Sequence, residues 1–346
     1  MTRRDVIEFA VAGLLLVLAG VAHFADATPV LTFALAALAI AVLARLVGGA
    51  TEQLGSRVGS SAAGVVQSAL GNLPELFIAF FALRQGLTQV VQAALVGSVI
   101  ANSILVLGLA FIVGGLRNGT QNFDSPRARL IATLTVLCAA ILAVPTLSHA
   151  VHTSAGRHEK SLSLICAGVL LALFFVTLPG LLKVGEEGEA EPARWTLAQT
   201  IGVIGGAGFA AGFVSDWFVT ALKPATETLG MSEAFAGLVV VAIAGNAVEN
   251  VVGVQLAAKN RPDFAISVII NSALQVALLL TPVLVFASLF FATPLTLVFS
   301  PLLAICLLLA AWILAVVVYD GQSTWEEGAI LVGFYVVIAA SFWWGA

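Results

Sequence analysis

Charge is the first thing this chain lacks. Only 10% of its 346 residues are Asp, Glu, Lys or Arg, against roughly 25% in soluble proteins. Nineteen acids and fifteen bases are too few to cover a soluble surface of this size. No basic run exists and the formal net charge is −4, which excludes a nucleic-acid footprint. Cysteine is also scarce. Cys138, Cys166 and Cys306 all lie within apolar stretches, so they read as small buried hydrophobes and provide neither a disulfide framework nor a metal cluster. A phosphate-binding Gly-Lys loop, a nucleophile elbow and a metal-hydrolase motif are missing, and no enzyme reading survives. What the chain has is apolar residue: 60% of the total, with a mean hydropathy of +1.07. It reads as a polytopic membrane protein.

A helix needs about 20 mostly apolar residues to cross the hydrocarbon. On that ruler eleven spans are expected, at about 7–23, 29–50, 61–83, 90–114, 128–148, 161–182, 196–222, 232–257, 264–289, 295–318 and 326–345. They are helices by length, since membrane strands cover only about 9–11 residues and alternate in polarity. The first span also fits a cleavable signal peptide, with Arg3-Arg4 ahead of an apolar core and Ala25-Asp26-Ala27 after it.

Basic residues set the orientation. With the amino terminus cytoplasmic, inside segments hold eleven of them: Arg3, Arg4, Arg45, Arg57, Arg117, Arg127, Arg129, Lys183, Arg194, Lys259 and Arg261. Outside segments hold Arg84, Arg157, Lys160 and Lys223. The expected arrangement is therefore amino terminus in, carboxyl terminus out. One linker shows a sharp shift in composition, the acidic stretch around Glu186, Glu187, Glu189 and Glu191. It divides the chain into a first helix (1–28), a five-helix unit (29–183), a cytoplasmic linker (184–194) and a second five-helix unit (195–346).

Those two units carry a repeat. Gly71-Asn-Leu-Pro-Glu75 and Gly245-Asn-Ala-Val-Glu249 are 174 residues apart, and the same offset takes Ser98 to Ser272. Upstream, Gly48-x-x-Thr51-Glu52 resembles Gly212-x-x-Ser215-Asp216. Two halves with an odd number of spans lie in opposite orientations. This is the inverted repeat of secondary transporters. The expected fold class is thus an all-α membrane protein of about eleven helices, one plus two inverted five-helix repeats.

Glu75 and Glu249 are the two carboxylates expected deepest in the bilayer, where an ionised group costs at least several kcal/mol unless paired or hydrated. Gly71, Pro74 and Gly245 weaken the helices around them. Interrupted helices free backbone carbonyls, which are tolerated at that depth only beside a cavity. Asn72 and Asn246 add amide oxygens near each Glu, and Ser98, Asn102, Ser272 and Gln275 are polar groups on the following spans. Carboxylate, amide, hydroxyl and carbonyl oxygens together make a hard-oxygen set suited to Ca2+, with Glu75 and Glu249 as the metal ligands. No soft ligand accompanies the motifs.

These motifs, with Gly97-Ser98-x-x-x-Asn102-Ser-Ile-Leu-Val-Leu-Gly108, Gly114-Gly115, Lys259-Asn-Arg-Pro-Asp263 and Ser272-Ala-Leu-Gln275, resemble those of the cation/proton exchangers. These form the calcium/proton branch of the calcium/cation antiporter superfamily. The resemblance, to the prokaryotic type, covers about residues 40–320 and implies an eleven-helix antiporter in a bacterial plasma membrane. It also implies that the two Glu hold cation and protons in turn. Spans two and seven would be gating elements, which gives Glu52 and Asp216 roles near the two mouths. Two positions depart from the family pattern: Asn250 stands where His is usual, and Asn271 where Gly is usual. Without that imidazole, exchange of Na+ or K+ for H+ on the same fold stays open beside Ca2+/H+ exchange, as does a cation channel without proton coupling.

Weaker features have plain readings. The acidic linker is a solvated tether or a regulatory segment that senses calcium. His149, His152 and His158 share one external loop that is solvated or senses metal or pH. Trp195, Trp217, Trp325, Trp343 and Trp344 fall near span ends, as interfacial anchors do. The expected function is secondary antiport of Ca2+ against H+ by alternating access, with the cation, protons and the lipid bilayer as partners, no nucleic acid and no cofactor.

Overall fold

The computed structural model describes residues 3–58, 71–183 and 194–345. Its helices in chain order are α1 (Arg3–Phe24), α2 (Pro29–Val58), α3 (Leu73–Arg84), α4 (Thr88–Asn118), α5 (Ser125–Ala150), α6 (Glu159–Lys183), α7 (Leu197–Leu229), α8 (Glu233–Gly245), α9 (Ala247–Ala258), α10 (Pro262–Phe290), α11 (Pro301–Val317) and α12 (Trp325–Trp343). Among the described residues eight of these are long and apolar enough to cross a membrane, and α8 with α9 makes a ninth if counted as one span. Of the eleven spans expected, the other two correspond to α3 and to the 17-residue α11. The acidic linker Glu186, Glu187, Glu189 and Glu191 lies outside the described residues.

Local chemistry fixes several helix ends. Thr196 and Thr324 form reciprocal caps with Gln199 and Glu327, three residues on, at the starts of α7 and α12. Gly230, at φ +66°, closes α7 in the left-handed conformation that a Cβ disfavours.

Two compact units result. The first comprises Met1–Gln85, Ala172–Gly230 and Ala244–Val248. Within it α2 and α7 pack along their lengths through small residues, with Ala36, Ala39, Ile40, Ala211, Val214 and Leu222 buried and Phe33 stacked on Phe218. Helix α1 joins them through a Glu8–Arg45 ion pair at 3.0 Å and the Phe9–Trp195 ring contact. Trp195, expected as an interfacial anchor, is buried there, and its Nε1–H donates to Asp5 at 3.2 Å.

The second unit comprises Gly86–Leu171, Met231–Ile243 and Glu249–Ala346. Helices cross here at glycines that leave no room for a Cβ. One on Gly97 would stand 2.5 Å from the Leu238 carbonyl oxygen, and one on Gly328 would stand 2.5 Å from that of Gly108. A two-residue ribbon, β1 (Gln121–Asn122) against β2 (Gln322–Ser323), joins the loops before α5 and α12.

One expectation is corrected. Residues 295–300 are irregular instead of helical, and α11 begins only at Pro301. Pro294 and Pro301 deny backbone N–H donors, while the Ser300 hydroxyl caps the helix by accepting from Leu303 N–H. The strap before it buries Leu295, Leu297 and Phe299, so its backbone polar groups need partners away from water. Gln92 donates to the carbonyls of Thr296 and Val298, Thr146 donates to Leu297 O and accepts from Phe299 N–H, and Ser163 accepts from Leu297 N–H.

Candidate functional site

Both repeat motifs break their helices at the asparagine. Helical structure is interrupted at Asn72 and at Asn246, and Glu75 and Glu249 fall in the first turns of α3 and α9. A carboxylate in a first helical turn faces the positive end of the helix dipole and the free N–H groups there. Between Glu233–Gly245 and Glu249–Ala258 the axis turns by 62°.

In the first unit Glu75 is 1% exposed and accepts a hydrogen bond from Asn246 Nδ2 at 3.2 Å. Gly245 makes the approach possible: a Cβ there would stand 3.2 Å from Glu75 Cβ and Cγ. Asn72, the repeat counterpart of Asn246, is buried with its Nδ2 lacking a hydrogen-bond partner. In the second unit Asn102 donates to Ser272 Oγ at 3.2 Å, with both side chains buried. Ser98 is buried one turn earlier on α4, while Glu249 and Gln275 are half-buried. Of the two carboxylates that sequence reasoning placed deepest, Glu75 is the more buried.

The gating candidates differ from each other. Asp216 on α7 stands 4.0 Å from Arg84 at the end of α3, beside a Gln85–Thr220 hydrogen bond. The side chains of Arg84 and Asp216 are substantially exposed, so this pair contributes little stability. Glu52 is carried on α2, and its side chain lies outside the described ones. In the histidine loop, His149 Nδ1 pairs with Glu159 at 2.7 Å.

Three features were missed by sequence reasoning. Asn250, noted only for the histidine it replaces, donates to Ile243 O at 3.3 Å and so occupies a carbonyl near the break between α8 and α9. The two other features concern helix geometry and a polar row. Helix α4 holds a π-helical turn at Ala101–Val106 and α10 another at Val276–Leu280. Adding the repeat offset of 174 to the first gives 275–280, so the two turns are repeat-equivalent, each beside the polar residues of its motif. Such turns cluster at functional sites, yet no residue type marks them. Last, Ser267 Oγ accepts from both Arg127 Nη2 and Asn271 Nδ2, each at 3.2 Å.

Among the described residues no three His, Cys, Asp or Glu side chains gather where they could hold a metal ion. A cation bound to this chain would draw on neutral oxygens beyond its carboxylates, as hard cations accept.

The model of the sodium/calcium exchanger protein family matches this chain twice, at residues 28–182 and 200–344. The chain belongs to this family. As an exchanger of this family it is 33% identical to a Ca2+/H+ antiporter of Aphanothece halophytica, with 92% of each chain covered. It is 34% identical to the Ca2+/H+ antiporter ChaA of Bacillus subtilis (strain 168), with 90% of this chain and 91% of that one covered. Among solved structures, native YfkE shares the exchanger's fold at a TM-score of 0.85 and 30% identity, covering 97% of this chain and 99% of its own. The exchanger's helices and these likenesses together make it an integral membrane protein.

Proposed function

We propose that the protein exchanges Ca2+ for H+ across the membrane by alternating access, with Glu75 and Glu249 binding the cation or protons in turn. The observation that carries this reading is Glu75: a carboxylate buried at the break of a membrane helix, with one oxygen held by a side-chain amide and a glycine opposite. A group so placed is costly to keep charged in the empty protein. Either a cation or a proton offsets that cost, and the two therefore compete. The family match and the Ca2+/H+ antiporters among its relatives support calcium as the substrate. Asn72, Asn246, Ser98, Asn102, Ser272 and Gln275 supply the remaining oxygens, and Glu52 and Asp216 serve the two mouths. The distribution of basic residues, eleven against four, supports a cytoplasmic amino terminus.

A monovalent cation/proton antiporter is the second reading, favoured by Asn250 in place of the family's usual His. Purified protein in liposomes under a pH gradient, offered Ca2+, Mn2+, Na+ or K+ separately, decides between them. Ca2+-driven proton flux that Glu75→Gln and Glu249→Gln each reduce at least ten-fold, with both variants monodisperse in detergent, supports the proposal. Flux above a tenth of wild type in either variant refutes the two-carboxylate mechanism.

A further inference from the structure

Helix α9 carries Glu249 in its first turn, and its opposite end is held by the loop that follows α4. Ala257 lies in the last turn of α9, where carbonyls lack their usual helical donors. Its oxygen accepts from Gln121 Nε2 at 3.0 Å, from Asn118 Nδ2 at 3.2 Å and from Asn260 N–H at 3.0 Å. Gln121 Nε2 also donates to Asn260 Oδ1 at 2.8 Å, and Asn118 Nδ2 to Gly114 O at 3.1 Å. Asn260 closes the helix at φ +57°, a left-handed conformation that Asn tolerates.

Gln121 has no freedom left. It is 3% exposed, its backbone pairs with Ser323 in the ribbon, and its Oε1 occupies the space that a Cβ on Gly114 would fill. The end of α9 is therefore fixed by side chains that come from the first of the two family matches, although α9 belongs to the second. From Ala257 back to Glu249 is eight residues, a rod of about 12 Å, so a tilt of about 5° at the fixed end moves Glu249 by about 1 Å. Calcium–oxygen bonds span only about 2.3–2.6 Å, and a shift of that size takes a ligand out of reach.

We infer that Gln121 is a positioning residue for cation binding: with Asn118 it fixes the far end of α9 and so sets where Glu249 meets the ion. The inference rests on the antiport reading above, and it gives the loop after α4 a part in a site whose ligands lie elsewhere.

The test is Ca2+-driven proton flux in liposomes for wild type, Gln121→Met, Asn118→Ala and Asn122→Ala, with a thermal melt of each preparation. Gln121→Met keeps the length of the side chain and donates nothing. It should raise the half-saturating Ca2+ concentration at least about ten-fold, the lower end of what groups supporting metal ligands cost. Its maximal flux per folded protein should stay within about two-fold of wild type. Asn118→Ala, at an exposed position, should shift half-saturation in the same direction by less and melt as wild type does. Asn122→Ala, exposed on the same ribbon, should change neither. A lower thermal midpoint and maximal flux with unchanged half-saturation in Gln121→Met would make the contact a structural brace and overturn the inference. If Gln121→Met fails to fold, wild-type half-saturation in Asn118→Ala overturns it alone. Either result leaves the antiport reading standing, whereas absence of Ca2+-coupled proton flux in the wild type would overturn both.

Discussion

Gly245→Ala isolates the geometry around Glu75 from the stability of the fold. The new Cβ would stand 3.2 Å from Glu75 Cβ and Cγ. An ordinary carbon contact is about 3.5–4.0 Å, so the carboxylate must retreat by roughly 0.3–0.8 Å. Its bond from Asn246 already measures 3.2 Å, and that retreat takes it past the useful hydrogen-bond range. A hydrogen bond to a charged group contributes about 1.5–3 kcal/mol, which is about ten- to a hundred-fold in apparent cation affinity if the carboxylate is ionised when it binds. Helix propensity pulls the other way. Gly245 closes a helical segment, and Ala is favoured there over Gly by up to about 1 kcal/mol. The expected signature is therefore a thermal midpoint in detergent equal to or above wild type, together with at least a ten-fold rise in half-saturating cation. Calcium titration of proton flux in liposomes and a melting curve on the same preparation measure both. Wild-type affinity in Gly245→Ala would refute the claim that Gly245 positions Glu75. A matched loss of stability and flux would show a packing defect instead.

Two further predictions concern Thr146, which sequence reasoning passed over, and Asn250, which it singled out as a departure from the family pattern. Thr146→Val keeps shape but leaves Leu297 C=O without its Thr146 donor and Phe299 N–H without its acceptor, at about 1–3 kcal/mol per orphaned group. The thermal midpoint should fall by several degrees and Thr146→Ser should restore it; an unchanged midpoint would mean that the strap does not depend on this hydroxyl. Asn250→His introduces a group that titrates near about pH 6.5, next in sequence to Glu249. Initial flux at fixed cation, scanned from pH 6 to 9, should diverge from wild type on the acid side and superimpose above about pH 8, where the imidazole is neutral. A uniform change at every pH would assign position 250 a structural role through its bond to Ile243 O.

Much of the architecture was legible because membrane helices are written in a coarse code. Twenty apolar residues announce a span wherever they fall, and a repeat of Gly-Asn-x-x-Glu shows itself at a fixed offset. The helix breaks at Asn72 and Asn246 follow from local chemistry, a glycine before each and a proline after the first. The irregular strap at 295–300 was misread for the complementary reason. Its hydropathy matches that of a helix, and its true conformation depends on Gln92, Thr146 and Ser163, all more than 130 residues away. Hydropathy measures the cost of leaving water and says nothing of which backbone geometry satisfies the hydrogen bonds.

The same distinction separates the parts of the candidate site. Glu75 and Glu249 stood out because an acid in an apolar run is anomalous by itself. Gly245, Asn250 and Arg127 were noted for helix weakening, a departure from the family pattern and orientation, and their contacts stayed hidden because these depend on what lies opposite. Gly245 matters through the side chain it admits, Asn250 through a carbonyl seven residues back, and Arg127 through a serine on another helix. The positive-inside count had assigned Arg127 a role in orientation, one vote among eleven, and its hydrogen bond to Ser267 on another helix is a contact that no count contains.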